Sequence, residues 1–214
     1  MLRSWIPVLG AAFVCFQTAT STAAIRLQVR SHVITPPRVQ HCAAWPSGSG
    51  ILSDGDFHGA VLPPNETYTE YSAGQIFAPS WRVKKRTIDV VAPGDFNPPN
   101  GVCSIDLDGK SVGAIEHRPI STTPSVLYTV SFLFSGNGSC GPEIKTMVVQ
   151  AAGQSETLTW NLASQGNAHD GNFLQETWSF TATSLRTRLA FISKDASGPG
   201  CGPVVAAISV TQNQ

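Results

Sequence analysis

Apolar and polar residues alternate along much of the chain. The run 128–134 carries aromatic or aliphatic side chains at every second position, and the runs 177–183, 185–191 and 204–210 repeat this pattern. Within the third run, Arg186 and Arg188 fall on the polar side and are expected to face solvent. A period of two with one apolar side is typical of a half-buried antiparallel strand.

Shorter β-branched or alternating runs occur at 87–91 and 103–108, and the second of these ends at an Asp108-Gly109 turn. No stretch keeps a helical period for more than two turns. Charged residues make up 13% of the chain, and Gly, Pro, Ser and Thr are abundant in their place. The pattern therefore predicts an all-β protein, an antiparallel β-sandwich such as a jelly roll.

The first 23 residues have the pattern of a secretory signal peptide. Arg3 precedes an apolar run at 6–16, and small residues lead to a predicted cleavage site after Ala23. A lipid anchor at Cys15 is the alternative, but Val14 stands where a small residue is needed. Residues 24–50 carry Pro-Pro and Ser-Gly-Ser-Gly stretches and are interpreted as a leader or linker, which leaves 51–214 as the domain. We expect a secreted protein of the extracellular space or cell wall, with no membrane contact after signal removal.

Four cysteines remain after the signal peptide: Cys42, Cys103, Cys140 and Cys201. In an exported chain they suggest two disulfides, for which three connectivities are possible. Matching Cys-Gly-Pro segments favour Cys140 with Cys201, and hence Cys42 with Cys103. Free buried thiols are the alternative.

Charge and motifs exclude several function classes. Fourteen basic residues balance 14 acidic ones, which argues against a nucleic-acid or anionic-membrane partner. The Gly-x-Gly-x-x-Gly run at 136–141 is followed by another predicted strand, so no helix N-terminus can meet a dinucleotide. Five scattered histidines predict no zinc site, and no cofactor is expected.

Two carboxylates, Asp106 and Asp108, lie two positions apart on one predicted strand and share a face. A glycoside hydrolase needs carboxyl groups on both sides of the scissile bond, which neighbours on one strand do not provide. We interpret this pair as a solvated face leading into a turn.

An exposed tryptophan is the usual platform for a sugar, because the C–H face of a sugar is apolar. Trp81 and Trp178 fit core positions, whereas Trp160 precedes the polar loop 161–172 and is the best stacking candidate. Amide side chains suit neutral hydroxyl groups. The predicted ligand-binding residues are Trp160, Asn161, Asn167, Asp95, Asn97, Glu116, His117 and Lys145.

Two sequons, at Asn65 and Asn137, are glycosylation sites if the source is a eukaryote. Asn137 lies in a predicted turn beside Cys140, and we expect it to be accessible.

Several short motifs, in order, resemble the plant cell-wall proteins of the domain of unknown function 642 and their bacterial relatives, the choice-of-anchor C domains. They span about residues 51–211 and are Asp54-Gly-Asp-Phe57, Ser80-Trp-Arg-Val83, Thr87-Ile-Asp-Val-Val91, Ser104-Ile-Asp-Leu-Asp-Gly109, Gly113-Ala-Ile115, Tyr128-Thr-Val-Ser-Phe132, Thr177-Trp-Ser-Phe-Thr-Ala182, Cys201-Gly-Pro-Val-Val205 and Ile208-Ser-Val210.

The resemblance implies a galactose-binding-like jelly roll, exported to a wall or matrix, that binds polysaccharide. The plant members are associated with cellulose, pectin and pectin methylesterase. The chain departs from the family pattern at His58, where a Glu is usual, and at Ala206 and Ala207, where acidic residues are usual. Because related domains can hold a structural Ca²⁺ with such carboxylates, we expect no calcium here.

The leading hypothesis is a secreted, non-catalytic module that binds cell-wall or matrix polysaccharide. One alternative is a structural or adhesion module that acts by protein contact, for example with a wall-modifying enzyme. A glycan-active enzyme is the other alternative, since catalytic residues can meet in space without a local motif.

Overall fold

The computed structural model describes residues 40–42, 44, 50–195 and 200–213. The predicted signal peptide and most of the predicted leader lie outside these residues. Within the part of the chain that is described, no helix is both long and apolar enough to cross a membrane.

The described chain is built almost entirely from short strands. In chain order they are β1 (Gln40–His41), β2 (Val61–Leu62), β3 (Tyr68–Ser72), β4 (Ile76–Ala78), β5 (Trp81–Lys85), β6 (Thr87–Val91), β7 (Ser104–Asp106), β8 (Ala114–His117), β9 (Ile120–Ser121), β10 (Leu127–Gly136), β11 (Ile144–Ala151), β12 (Gln154–Asn161), β13 (Leu174–Thr181), β14 (Arg186–Thr187), β15 (Leu189–Ser193) and β16 (Pro203–Gln212). A four-residue helix, α1 (Leu162–Gln165), and 3₁₀ turns at Pro99–Gly101 and Ala168–Asp170 complete the described elements.

Two six-stranded sheets form the sandwich. The first sheet has the order β13-β10-β16-β7-β6-β3, and the second has the order β12-β11-β15-β8-β5-β4. All of their strand pairs are antiparallel. The chain passes repeatedly from one sheet to the other, as in a jelly roll, so the predicted antiparallel β-sandwich is confirmed.

The alternating residues of the long strands point between the sheets. Val130, Phe132 and Phe180 from the first sheet meet Val149 and Phe191 from the second, and all five side chains are fully buried. Trp81 and Trp178 also belong to this core, as predicted. Burial of one face of each sheet is the main stabilising contribution in such a fold, because the opposite face can remain solvated.

Both predicted disulfides are present. Cys42 pairs with Cys103, and Cys140 pairs with Cys201. The first bond, together with the pairing of β1 with β2, ties residues 40–42 of the predicted leader to the sandwich. The leader segment is therefore in contact with the domain at that point.

Candidate functional site

The predicted ligand-binding residues separate into three regions of the fold. Trp160 is in the core, and Lys145 is buried beneath the Cys140–Cys201 disulfide. Glu116 and His117 are adjacent on β8 and therefore point to opposite faces of the second sheet. Asn161 ends β12, whereas Asp95, Asn97 and Asn167 lie in loops, and the loops at 95–97 and 167–170 meet beside the first sheet.

Trp160 does not offer the exposed ring that the sequence analysis expects. Its side chain is 1% exposed, lies edge-on to Phe134, and donates a hydrogen bond from Nε1 to the carbonyl of Gly166 (2.8 Å). The last inward position of β12 is thus filled by a core tryptophan, and the expectation of a stacking surface here is wrong.

Two predicted asparagines cap helical turns. The Asn161 side chain accepts hydrogen bonds from the backbone N–H groups of Ala163 and Ser164, at the start of α1. Asn167 does the same for His169 and Asp170 in the following 3₁₀ turn. Their amide oxygens satisfy backbone donors that would otherwise lack partners, which is the usual role of an asparagine at this position.

Three loops converge at one end of the outer face of the first sheet. Asn97 donates to the carbonyl of His169 (2.6 Å), and the His169 ring lies 3.1 Å from the Asp95 carbonyl through Nδ1. On its other side, His169 Nε2 lies 2.9 Å from Ser139 Oγ. These contacts hold His169 between two loops that are far apart in sequence.

A groove of about 230 Å³ opens beside this loop cluster. Its lining combines an aromatic ring, carboxyl groups and a histidine; the residues are Tyr68, Asp89, Val91, Asp95, Phe96, Asp106, Asn137, Ser139, His169 and Gly200. Tyr68 is 52% exposed and is the one exposed aromatic side chain among the residues that the structure describes. The groove therefore offers one apolar platform surrounded by hydrogen-bonding groups.

Carboxylates from three neighbouring strands form a row across the outer face at this groove. Glu70 of β3 is paired in register with Asp89 of β6, and Asp89 is paired with Asp106 of β7. Directly opposite residues on one face have Cβ atoms about 5 Å apart. Lys110 partly balances the row, because its Nζ lies 3.0 Å from Glu70 Oε1.

Burial changes the acidity of this row. It raises the pKa of Asp89 to about 7; the charge of Glu70 acts in the same direction and Lys110 acts against it. Burial also raises the pKa of Asp106 to about 7, although hydrogen bonds from Asn137 and from the backbone of Asp108 oppose the shift. Near neutral pH these carboxyl groups can both accept and donate hydrogen bonds, which suits a ligand rich in hydroxyl groups.

Asp106 and Asp108 are not the solvated face that the sequence analysis expects, since they are 1% and 0% exposed. Asp106 accepts hydrogen bonds from Asn137 Nδ2 (2.8 Å) and from the N–H of Gly202 (2.9 Å). Loops closed by the Cys140–Cys201 disulfide cover this end of β7. The spacing of two positions correctly predicts that both side chains lie on one face of the strand. It carries no information about the loops that cover this face.

Lys145 is buried in the same region and lies below the groove. Its ammonium group donates to the carbonyls of Cys140 (2.9 Å) and Cys201 (2.5 Å). Burial lowers the pKa of Lys145, although Asp195, Asp106 and Asp108 act to raise it. The side chain is 0% exposed, so its observed role is to support the disulfide-linked loops.

Asn137 is also less accessible than expected. It is 6% exposed, and its amide nitrogen donates to both Asp106 and the carbonyl of Gly200. A glycan attached to this nitrogen would have to break both hydrogen bonds, so the folded domain does not present Asn137 for glycosylation. Asn65 is exposed.

His117 is buried on the inner side of β8, where it lies 3.3 Å from Asp54 through Nε2. Asp54 also accepts a hydrogen bond from the N–H of Ser80 (2.6 Å), and its carbonyl accepts one from Trp81 Nε1. These contacts join two of the sequence motifs to each other. His117 is thus a structural residue here and does not line a ligand surface.

The region where related domains can hold calcium contains a contact between a carboxylate and a histidine in this chain. Asp56 Oδ1 lies 2.6 Å from His58 Nδ1, where the family pattern has a Glu. In the described part of the chain, no group of three or more His, Cys, Asp or Glu side chains is arranged to hold a metal ion.

Sequence reasoning missed Tyr68 and Asp89 and gave His169 no role. A signal was present for Asp89, because it is the one carboxylate within the apolar run 87–91. Tyr68 and His169 carried no such signal, since their positions depend on which strands and loops become neighbours.

The fold is similar to those of several carbohydrate-binding modules. CBM35 from Paenibacillus barcinonensis superposes with a TM-score of 0.42 at 16% identity, over 67% of this chain and 98% of that one. A family 35 module from Clostridium thermocellum gives 0.41 at 13% identity, over 68% and 92% of the two chains. CBM35 of Abf62 from Cellvibrio japonicus gives 0.45 at 13% identity, over 67% and 92%. Similarity at this level identifies neither a ligand nor a binding residue.

Among curated proteins, none matches this sequence. The family model described as "Protein of unknown function (DUF642)" matches residues 50–211. This range includes the groove and both six-stranded sheets except the last residue of β16, and it agrees with the span of the motifs that suggested the resemblance. The chain therefore belongs to the DUF642 family.

Proposed function

We propose that this protein is a non-catalytic module that binds a neutral polysaccharide in the groove on the outer face of the first sheet. The observation that carries the proposal is the exposed ring of Tyr68 beside a row of carboxyl groups. A sugar ring can place its C–H face on the tyrosine while its hydroxyl groups bond to Asp89, Asp95 and His169. The acidic row disfavours an anionic polymer at this site.

An extracellular location is part of the proposal. Its support is the pair of disulfides, which persist in oxidising compartments. The signal peptide remains a prediction, and N-terminal sequencing of the exported protein tests it directly. A mature chain that begins at Ala24 is the expected result.

Affinity electrophoresis of the full-length, oxidised protein in gels containing soluble β-glucan, xylan or mannan tests the binding site. We expect one of these polymers to retard the protein, and Tyr68→Ala to weaken binding by about tenfold through loss of the ring contact. Tyr68→Phe keeps the ring and should restore most of the affinity. Ile76→Ala is the matched control, because Ile76 is an exposed apolar side chain on the second sheet.

Equal retardation of the wild type and Tyr68→Ala would place the binding site elsewhere. If no neutral polymer retards the wild type, the protein-contact alternative is favoured, and a search for a wall protein partner replaces the sugar panel.

A glycan-active enzyme is the second candidate, and one observation favours it. Asp89 and Asp106 lie side by side in the groove, and the pKa of each is raised to about 7. Against catalysis, both carboxyl groups arise from one sheet face, and Asp106 is fixed by backbone and amide hydrogen bonds. Release of reducing ends from the same polymers, abolished by Asp89→Asn, would establish the enzyme.

A further inference from the structure

The two outer faces of the sandwich present different ionisable side chains, although the formal net charge of the chain is zero. The first sheet presents the acidic row described above. A basic face lies on and beside the second sheet, and we define it by Arg82 and Lys84 of β5, Arg186 of β14, and Arg188, which lies between β14 and β15. Equal numbers of acidic and basic residues argue against an anionic partner only for the chain as a whole. They do not exclude a local cluster of positive charge.

A cleft opens on the basic face. Among the described residues, Glu116 is the one acidic side chain that lines this cleft or forms an ion pair with the basic face. Arg82 Nη2 lies 2.7 Å from Glu116 Oε1, Arg188 Nη1 lies 3.0 Å from the same oxygen, and Lys84 Nζ lies 3.3 Å from Oε2. Burial acts to raise the pKa of Glu116, but these cations outweigh it and hold the pKa below its usual value. Four cations around one ionised carboxylate leave an excess of three positive charges.

The cations retain unused hydrogen-bond donors. The side chains of Arg82 and Arg188 are 50% and 51% exposed, whereas that of Glu116 is 6% exposed. Arg82 uses two of its five N–H donors on Glu116, and Arg188 uses one. The side chain of Arg186 makes no ion pair or hydrogen bond with any described residue. Glu116 thus orients the guanidinium groups of Arg82 and Arg188 and leaves most of their N–H donors available to a ligand.

A cleft of about 240 Å³ lies beside these groups. Small residues, among them Ala152, Gly153 and Ala190, line it together with Lys84, Arg186 and Arg188. A guanidinium fork matches the two oxygens of a carboxylate or a sulfate, and arginine is preferred where such groups are recognised.

We propose that this basic face binds an anionic polysaccharide through its carboxylate or sulfate groups. The site is independent of the groove, which lies on the other sheet, and it would allow one domain to hold a neutral and an acidic polymer together. A nucleic acid is disfavoured, because no exposed aromatic ring among the described residues lies on this face to stack on bases.

Matched polymers test the proposal with the full-length, oxidised protein. Carboxymethyl cellulose and hydroxyethyl cellulose share a backbone and differ in charge, and dextran sulfate and dextran form a second pair. We expect retardation by the anionic member of at least one pair and not by its neutral partner, with most of the effect lost in about 1 M salt, where the screening length is about 3 Å. Carboxymethyl cellulose and dextran sulfate separate the two sources of the anionic group.

The variant Arg82→Gln/Arg188→Gln should weaken binding roughly fivefold or more, from exposed ion pairs of modest strength. Lys110→Gln removes one positive charge from the opposite face and is the matched control. Arg186→Gln is the second variant if the double variant misfolds, because the Arg186 side chain has no hydrogen bond or ion pair with a described residue to lose. It should weaken binding by itself. Far-UV circular dichroism checks the fold of each variant.

Equal binding of the wild type, the double variant and Arg186→Gln would overturn the proposal, as would a preference for single-stranded DNA over both anionic glycans. The two proposals fail separately, since Tyr68→Ala should leave the binding of anionic polymers unchanged. Loss of that binding in Tyr68→Ala would contradict the assignment to the basic face.

Discussion

Replacing Asp106 by asparagine should change the stability difference between variant and wild type in favour of the variant as the pH rises from 4 to 8. The carboxyl group is buried, and its pKa is raised from 3.8 to about 7. The unfolded chain loses this proton near pH 4, whereas the folded chain keeps it until about pH 7. The folded state binds more protons across this window, so its stability falls as the pH rises through the window and then levels off.

The size of the change in the free energy of unfolding follows from the shift in the pKa of Asp106. About three pKa units correspond to about 4 kcal/mol, which is an upper value because the protein can relax around the charge. Asparagine can keep its oxygen at the Oδ1 position, which accepts from the N–H groups of both Gly202 and Asp108, and it cannot ionise. Its amide nitrogen replaces the oxygen that accepts from Asn137, and the loss of this hydrogen bond lowers stability by the same amount at every pH. The stability difference between Asp106→Asn and the wild type should therefore move in favour of the variant by up to about 4 kcal/mol between pH 4 and pH 8.

Urea unfolding at constant ionic strength, with both disulfides intact, measures this difference at each pH. Glu156→Gln is the control, because this exposed carboxylate of the second sheet has no hydrogen bond or ion pair with a described residue. A difference between Asp106→Asn and the wild type that stays constant from pH 4 to pH 8 would refute the argument that burial raises the pKa of Asp106.

Three further predictions concern the core, the disulfides and the sequons. Trp160→Ala should lower the free energy of unfolding by about 3–5 kcal/mol in urea titrations, as for other buried aromatic residues. Glycan retention should stay unchanged at urea concentrations below the unfolding transition. Selective loss of retention would restore Trp160 as a ligand residue. Replacing Cys140 and Cys201 together by serine opens a loop with a sequence separation of 61 residues. By the chain-entropy relation, this change should lower the free energy of unfolding by about 4 kcal/mol in the same urea titrations. A loss below about 1 kcal/mol would contradict the prediction. When the chain is secreted from a eukaryotic host, mass spectrometry of its peptides before and after enzymatic deglycosylation should locate a glycan at Asn65 and none at Asn137. A glycan at Asn137 would show that its hydrogen bonds form too late to protect it.

The class of fold was predictable because it depends on local periodicity. Alternation in the run 128–134 identified the inward face of β10, and the burial of Tyr128, Val130, Phe132 and Phe134 agrees with it. The same reasoning placed Trp81 and Trp178 in the core. Matching Cys-Gly-Pro segments also led to the correct disulfide pairing, although the spacing of the cysteines does not require it.

The candidate site was predicted only in fragments. Asp95 and Asn97 were named as loop residues, and they do lie at the loop cluster beside the groove. Trp160 was misjudged because a tryptophan at the end of a strand can face either the core or the solvent, and the polar loop that follows it does not decide between them. Asp106 was misjudged for a related reason, since a distant loop covers it.

The sequence by itself indicated several long strands with their inward faces, the secretory pattern and the family, since each of these depends on residues close together in the chain. The run 185–191 is an exception, because it divides between β14 and β15 and leaves Leu185 exposed. Only the tertiary structure decided which strands became neighbours. Register across β3, β6 and β7 placed Glu70, Asp89 and Asp106 in one row, and register across β5 and β8 placed Arg82 beside Glu116. Long-range pairing therefore gathered three carboxyl groups in one row and placed basic side chains around Glu116, and a composition with no net charge cannot reveal these two clusters.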